Sequence, residues 1–302
     1  MDHQEQNAVI GPIELIKKSW LFLKKHAVIL VSISVVPFIF VAVIGTLFFL
    51  ASIIQSPILM TICAILYLAA VVLGATFYPA LTHTIHKLST ETDPRITIYG
   101  QYAFGFRVFW QFILLVIISF FATWGATLLF IIPGIVVIIY SLFYFFTFTI
   151  DEKRGFAALT ESYSLIKGRW WTVFGRLIAL LLVCFATALV YGIIISTVGT
   201  VLSFILNGVV LYAITLVLNV SLQIAIISFS AIYMYYLYVS LRSSRQHIIP
   251  SVAYKRWLMA FVVIGAITFV SYVAFVGSYI SKNLDTIKSQ SFIQQNSALS
   301  NK

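Results

Sequence analysis

The chain has 302 residues, of which 61% are hydrophobic and 9% charged, with a formal net charge of +10. A soluble fold of that composition would leave much apolar surface in water, so an ordinary water-soluble domain is excluded and lipid is the expected solvent. The excess charge follows the edges of apolar blocks and forms no basic domain, which argues against a nucleic-acid partner.

Four stretches, 27–86, 108–150, 177–241 and 257–281, contain no Lys, Arg, Asp or Glu. A charge at the bilayer centre costs roughly 2.5–3.5 kcal/mol, and a spanning helix takes about 20 residues. The first three blocks therefore hold two passes each and the last holds one. The predicted fold is all-α: a polytopic transmembrane bundle of seven spans, three hairpins plus one helix, with amphipathic interfacial helices on the cytoplasmic side. Residues 1–281 are read as a single transmembrane domain.

Segment 10–26 comes first. On a helical wheel Ile13, Ile16, Trp20 and Leu23 share one face and Lys17, Lys18, Lys24 and Lys25 the other, with Leu21 as the exception, which describes a basic helix lying on the membrane surface. This polar lead-in is the expected mark of an uncleaved anchor. Spans at 28–52 and 57–80 follow, broken at Gln55-Ser56-Pro57. His83 and His86 close the second span at a spacing that puts both imidazoles on one helix face; they fit a metal pair or plain interfacial polarity. Segment 94–107 is the second interfacial stretch, with Asp93-Pro94 as a cap and first-position proline and with Gly100 and Gly105 interrupting it.

The second hairpin, 108–130 and 135–150, breaks at Pro133-Gly134, and its short arms leave a re-entrant hairpin open as an alternative. Gln111 lies near the start of its first arm. Asp151-Glu152-Lys153-Arg154 then reads as the charge cluster that stops a span, or else as an acid pair. In segment 155–170, Phe156, Leu159, Tyr163, Ile166 and Trp170 share an arc facing lipid, with Glu161, Ser164 and Gly168 opposite and Leu165 out of pattern. Both this segment and the first contain Leu-Ile-Lys-x-x-Trp, ending in Trp20 and Trp170, as an internal duplication would leave. Lys167, Arg169, Trp170 and Trp171 join Lys17, Lys18, Trp20, Lys24 and Lys25 as candidates for contact with lipid headgroups.

The third block has weak breaks at 196–199 and at Asn207-Gly208. Asn219 and Gln223, four apart, share a face of its second arm and serve either a solute path or interhelical hydrogen bonds. The last span is followed by a polar stretch, 282–302, expected as a flexible tail. Cys63 and Cys184 both fall inside apolar blocks and read as packing residues.

If the first three blocks are hairpins, 16 of the 19 Lys and Arg lie on one side, against Lys282, Lys288 and Lys302 on the other. Cytoplasmic loops collect Lys and Arg, so the amino terminus is expected inside and the carboxyl terminus outside the plasma membrane. A third pass in the third block would spoil this sorting.

The stretch Ala158-Leu159-x-x-Ser162-x-x-Leu165-x-x-Gly168-x-x-Trp171, behind the Pro133-Gly134 hairpin, resembles a large group of prokaryotic multi-span proteins. That group includes the membrane domain fused to some glycerophosphodiester phosphodiesterases and the YciC-like proteins. The resemblance is strongest over 130–180 and extends over 10–240. It implies a six-helix membrane domain of unassigned biochemical role. The phosphodiesterase activity belongs to a soluble barrel in those fusions, for which this chain has no room, and the helix at 257–280 departs from the family pattern.

No nucleophile elbow, phosphate loop or zinc-protease motif occurs, and the spans hold no buried charge of the kind a proton pump requires. No catalytic residue, cofactor or metal is assigned. The expectation is a non-enzymatic membrane protein whose basic face binds anionic lipids or a membrane-protein partner. The alternative is a transporter or channel for a small or lipid-like solute; a lipid enzyme would need His83, His86 and nearby carboxylates to converge.

Overall fold

A computed structural model describes residues 9–92, 94–204, 206–244 and 252–300, with side chains as far as Asn283 apart from those of Ser52 and Val209. Among these residues the chain is helical throughout: α1 (Pro12–Ile54), α2 (Pro57–Thr90), α3 (Ile98–Arg107), α4 (Phe109–Leu129), α5 (Ile131–Ser141), α6 (Tyr144–Thr149), α7 (Phe156–Ile166), α8 (Trp170–Leu202), α9 (Gly208–Ser243) and α10 (Val252–Ser300). Seven helical stretches, with α5 and α6 counted together as Ile131–Thr149, are long and apolar enough to cross a membrane. The all-α, multi-pass architecture is as expected.

The breaks follow from local chemistry. Proline opens α1, where its missing N–H has no intrahelical acceptor to lose. At His26 the backbone leaves helical geometry (φ −117°, ψ 19°), so α1 is a lead-in arm and a span joined by a kink. The α1–α2 turn is the one expected: Gln55 takes a left-handed conformation, the Ser56 hydroxyl accepts from the Leu59 amide, and Pro57 begins α2.

Two expected breaks move. α3 begins at Ile98, not at Asp93-Pro94, because the Thr97 hydroxyl accepts the Gly100 amide and so supplies the cap; the stretch before it runs without helix, with Ile96 packed on the core. Asp93 itself lies outside the described residues. The α4–α5 break falls at Phe130, and Pro133 sits inside the first turn of α5, where a proline costs no hydrogen bond. Gly134 keeps its role by another route, since a Cβ there would collide with Thr127 of the preceding helix. The stretch 282–302, expected as a tail, continues α10 as helix to Ser300; it contains neither Pro nor Gly to stop one.

The chain divides into two compact units, Met1–Val116 with Ile139–Ser251 and Ile117–Ile138 with Val252–Lys302, where the sequence groups 1–281 as one domain. The larger unit has its core where α1, α2, α6, α7 and α9 meet, around Leu30, Ile33, Leu81, Phe143, Ile166, Tyr233 and Tyr238. In the smaller unit α4 and α10 cross through glycines. A Cβ on Gly125 would collide with the Phe261 carbonyl and one on Gly265 with the Phe121 carbonyl, so the two backbones touch. Phe269 then packs against Phe120 and Phe121, with ring centroids 5.9 and 5.6 Å apart.

Replacing Gly265 by Leu is expected to force α10 away from α4. Overpacking of this kind costs about 1–3 kcal/mol. Cysteines placed at 121 and 269, with Cys63 and Cys184 changed to Ser, should cross-link in the parent chain and fail to do so in G265L.

Candidate functional site

The ends of the larger unit's helices are joined by polar contacts. Arg176 of α8 donates to the carbonyls of Val9 and Ile10, each at 2.7 Å, and the Ile10 amide donates to the Ser240 hydroxyl at 3.0 Å. Arg169, just before α8, donates to the carbonyl and hydroxyl of Ser244, the residue after α9. Tyr102 of α3 donates to the Ile33 carbonyl of α1 at 2.8 Å, and burial pushes its phenol well above the ordinary range. Residues 9 and 10 are thus joined to Arg176 and Ser240, and Arg169 to Ser244, at one end of the unit.

Asp151 lies in the α6–α7 turn with its carboxylate on two partners of α9: the Tyr238 hydroxyl at 2.5 Å and the Arg242 guanidinium at 2.7 Å. One turn back on the same face, Tyr235 contacts His86 Nδ1 at 3.2 Å, and Phe146 of α6 stacks on Tyr238 with centroids 5.3 Å apart. His83 Nδ1 meets Gln101 Oε1 at 2.8 Å, with the ring stacked on Phe104. The two histidines therefore share a helix face but hold separate protein partners. Among the described residues no group of three or more His, Cys, Asp or Glu is placed to hold a metal. Arg154 turns back onto Phe148, donating to its carbonyl at 2.7 Å and lying over its ring. These contacts make the Asp151–Arg154 cluster a fastener between α6, α7 and α9.

The expected lipid-facing helix at 155–170 is corrected. It spans only Phe156–Ile166, and the arc expected to face lipid meets protein, with Leu159 and Ile166 fully buried; Ser162 is fully buried too, and Ser164 and Leu165 nearly so. The cause is the interruption between α5 and α6. There the Ser162 hydroxyl donates to the Tyr140 carbonyl at 2.7 Å and accepts from the Phe143 amide at 3.0 Å, replacing helix bonds that the interruption removes. Thr147 adds a bond to the Ala158 carbonyl. Gly168, at φ +81°, then reverses the chain into α8, so Trp170 belongs to the next helix and stacks on Phe174.

The headgroup candidates divide by type. Lys17, Lys18, Lys24, Lys25 and Lys167 are exposed, Trp20 half so, and Trp171 is 77% exposed. Lys18 pairs with Glu14 at 2.9 Å along the helix, a contact of small energetic weight at such exposure. Arg169 and Trp170, by contrast, are engaged within the protein. Gln111, Asn219 and Gln223 are all exposed on the larger unit's surface, and the Asn219 amide donates to the Thr215 carbonyl one turn back at 2.8 Å.

Three cavities are lined by apolar side chains. One of about 470 Å³ lies between α1 and α2, bounded by Ile44, Phe48, Cys63 and Tyr67. Another of about 280 Å³ lies between the α1 arm, α8 and α9, and one of about 450 Å³ continues along α8. Gly125, Gly265 and Ser162 carry structural weight that charge and periodicity did not single out, although Ser162 is one of the letters behind the family resemblance. Comparison of the chain with protein-family models, curated proteins and solved structures finds no match.

Changing Ser162 to Ala would remove the bond to the Tyr140 carbonyl and the partner of the buried Phe143 amide, and loss of a buried amide's partner costs about 1–3 kcal/mol. The expected outcome is a clear drop in the thermal midpoint of the detergent-purified protein, with Ser162→Thr recovering part of it.

Proposed function

We propose that the chain is a non-enzymatic multi-pass protein of the plasma membrane, with its amino terminus cytoplasmic and carboxyl terminus outside, whose lysine-bearing end binds anionic lipid headgroups. The observation that carries this reading is the division of labour among the cations. Arg154, Arg169 and Arg176 are bound to protein oxygens and Arg242 to Asp151, while Lys17, Lys24, Lys25 and Lys167, like Arg95 and Arg107, are exposed. Exposed ammonium groups at a membrane boundary are each worth about 1 kcal/mol toward an anionic leaflet. The resemblance to prokaryotic multi-span proteins of unassigned role agrees with an absence of chemistry and adds no substrate. The apolar lining of the described cavities supports a binding role over passage of a polar solute.

Changing Lys17, Lys24, Lys25 and Lys167 to Gln should lower binding of phosphatidylglycerol about fivefold per residue, read by native mass spectrometry against phosphatidylcholine, with the thermal midpoint unchanged. Equal retention of both lipids by the parent chain would sink the proposal. For orientation, cysteines at 25 and 167 should be shielded from an impermeant thiol reagent in intact cells and one at 295 labelled; labelling of 25 and 167 with 295 shielded would reverse the orientation, and labelling of all three would overturn the odd number of passes.

A further inference from the structure

The cavity between the α1 arm, α8 and α9 is bounded by Ile16, Trp20 and Leu23 on one side and by Val183, Cys184, Thr187, Leu222 and Phe229 on the others. Thr187 and Leu222 also line the next cavity, which runs on past Val190 to Ile194. The two form one apolar groove in the larger unit. From Val183 to Ile194 it follows α8 for about 16 Å at 1.5 Å per residue, the scale of a long acyl chain.

One end of the groove is charged. The Lys24 ammonium lies 5.1 Å from the centroid of the Trp20 ring that roofs it, and Lys17 adjoins Ile16 on the exposed side of the same arm. The roof is held in place. Arg176 and Ser240 fasten residues 9 and 10 at the head of the arm, and the kink at His26 lets the arm depart from the axis of its span.

We propose that this groove is a specific site for one acyl chain of an anionic diacyl phospholipid, with the chain lying along α8 between Val183 and Ile194 and the headgroup at Lys17 and Lys24. The inference rests on the headgroup-binding reading given above and adds to it a place and an orientation. An ammonium beside the mouth of an apolar slot matches a molecule that is anionic at one end and hydrocarbon for the rest of its length. The lipid bound there would be retained, not exchanged freely with the bilayer, because one of its chains lies against protein side chains.

The test uses the full chain in nanodiscs containing a small fraction of phosphatidylglycerol with a diazirine on one acyl chain, or the matching phosphatidylcholine. Labelled residues are mapped by peptide mass spectrometry. The phosphatidylglycerol probe should label the lining residues of α8 and α9 at least tenfold more than the outward-facing Phe185 and Val198, and more than the phosphatidylcholine probe does. Thr187→Trp with Ala225→Trp, which fills the slot and leaves every lysine in place, should remove that preference while overall phosphatidylglycerol enrichment persists. Lys17→Gln with Lys24→Gln should abolish the difference between the two probes in the groove. Even labelling of all lipid-facing positions, with enrichment retained, overturns the groove and spares the headgroup reading; groove labelling that is equal for both lipids overturns the anionic assignment. A thermal midpoint matching the parent chain qualifies each variant, and Ala225→Phe alone replaces the double variant if it does not fold.

Discussion

Hydrocarbon offers no hydrogen bonds, so a span that breaks inside it has to be repaired by protein, and the break between α5 and α6 shows how. At that break the Ser162 hydroxyl bonds the Tyr140 carbonyl and the Phe143 amide. A single hydroxyl answers both. To deliver it, α7 has to enter the core, and the chain around α7 is arranged accordingly: Thr147 fixes it to α6, Gly168 turns the chain out, and Asp151 ties the turn before it to α9.

The same constraint engages several of the arginines. A planar guanidinium with five donors can serve carbonyls at the ends of helices, and Arg169 and Arg176 do so. Lysine, a compact and strongly hydrated charge, has less use there, and Lys17, Lys24, Lys25 and Lys167 are exposed, as are Arg95 and Arg107. Positive charge at a membrane boundary is commonly read as one signal, orientation. Here part of it is spent on joining helix ends and part is presented to the surroundings.

Hydrophobic blocks and turn residues made the passes and the break at Gln55-Ser56-Pro57 legible, because exclusion of charge from lipid and the geometry of proline act locally. What was not legible depended on partners. The wheel of 155–170 shows a period but not what lies against it, so the buried Leu159 and Ile166 looked lipid-facing and the buried Ser164 looked wet. Thr97 and Asp93 are both good caps, and the choice between them rests on Ile96 packing into the core. Proline tolerated in a first turn looks the same in sequence as proline in a loop, which moved the break to Phe130. Gly125 and Gly265 are 140 residues apart, and nothing local announces that they touch. At the candidate site the exposed lysines were readable, whereas the engagement of Arg169 and the groove beneath Trp20 arise only from packing.

The fastening of residues 9 and 10 has a consequence for biosynthesis. Its partners, Arg176 and Ser240, lie 166 and 230 positions further along the chain. A ribosome delivers about 5–20 residues per second, so the first arm waits many seconds before the groups that hold it have been made. Helical hairpins close early from nearby contacts, while this latch waits for residues more than 160 positions further along. The fastened arm is therefore among the final pieces of this bundle to be seated.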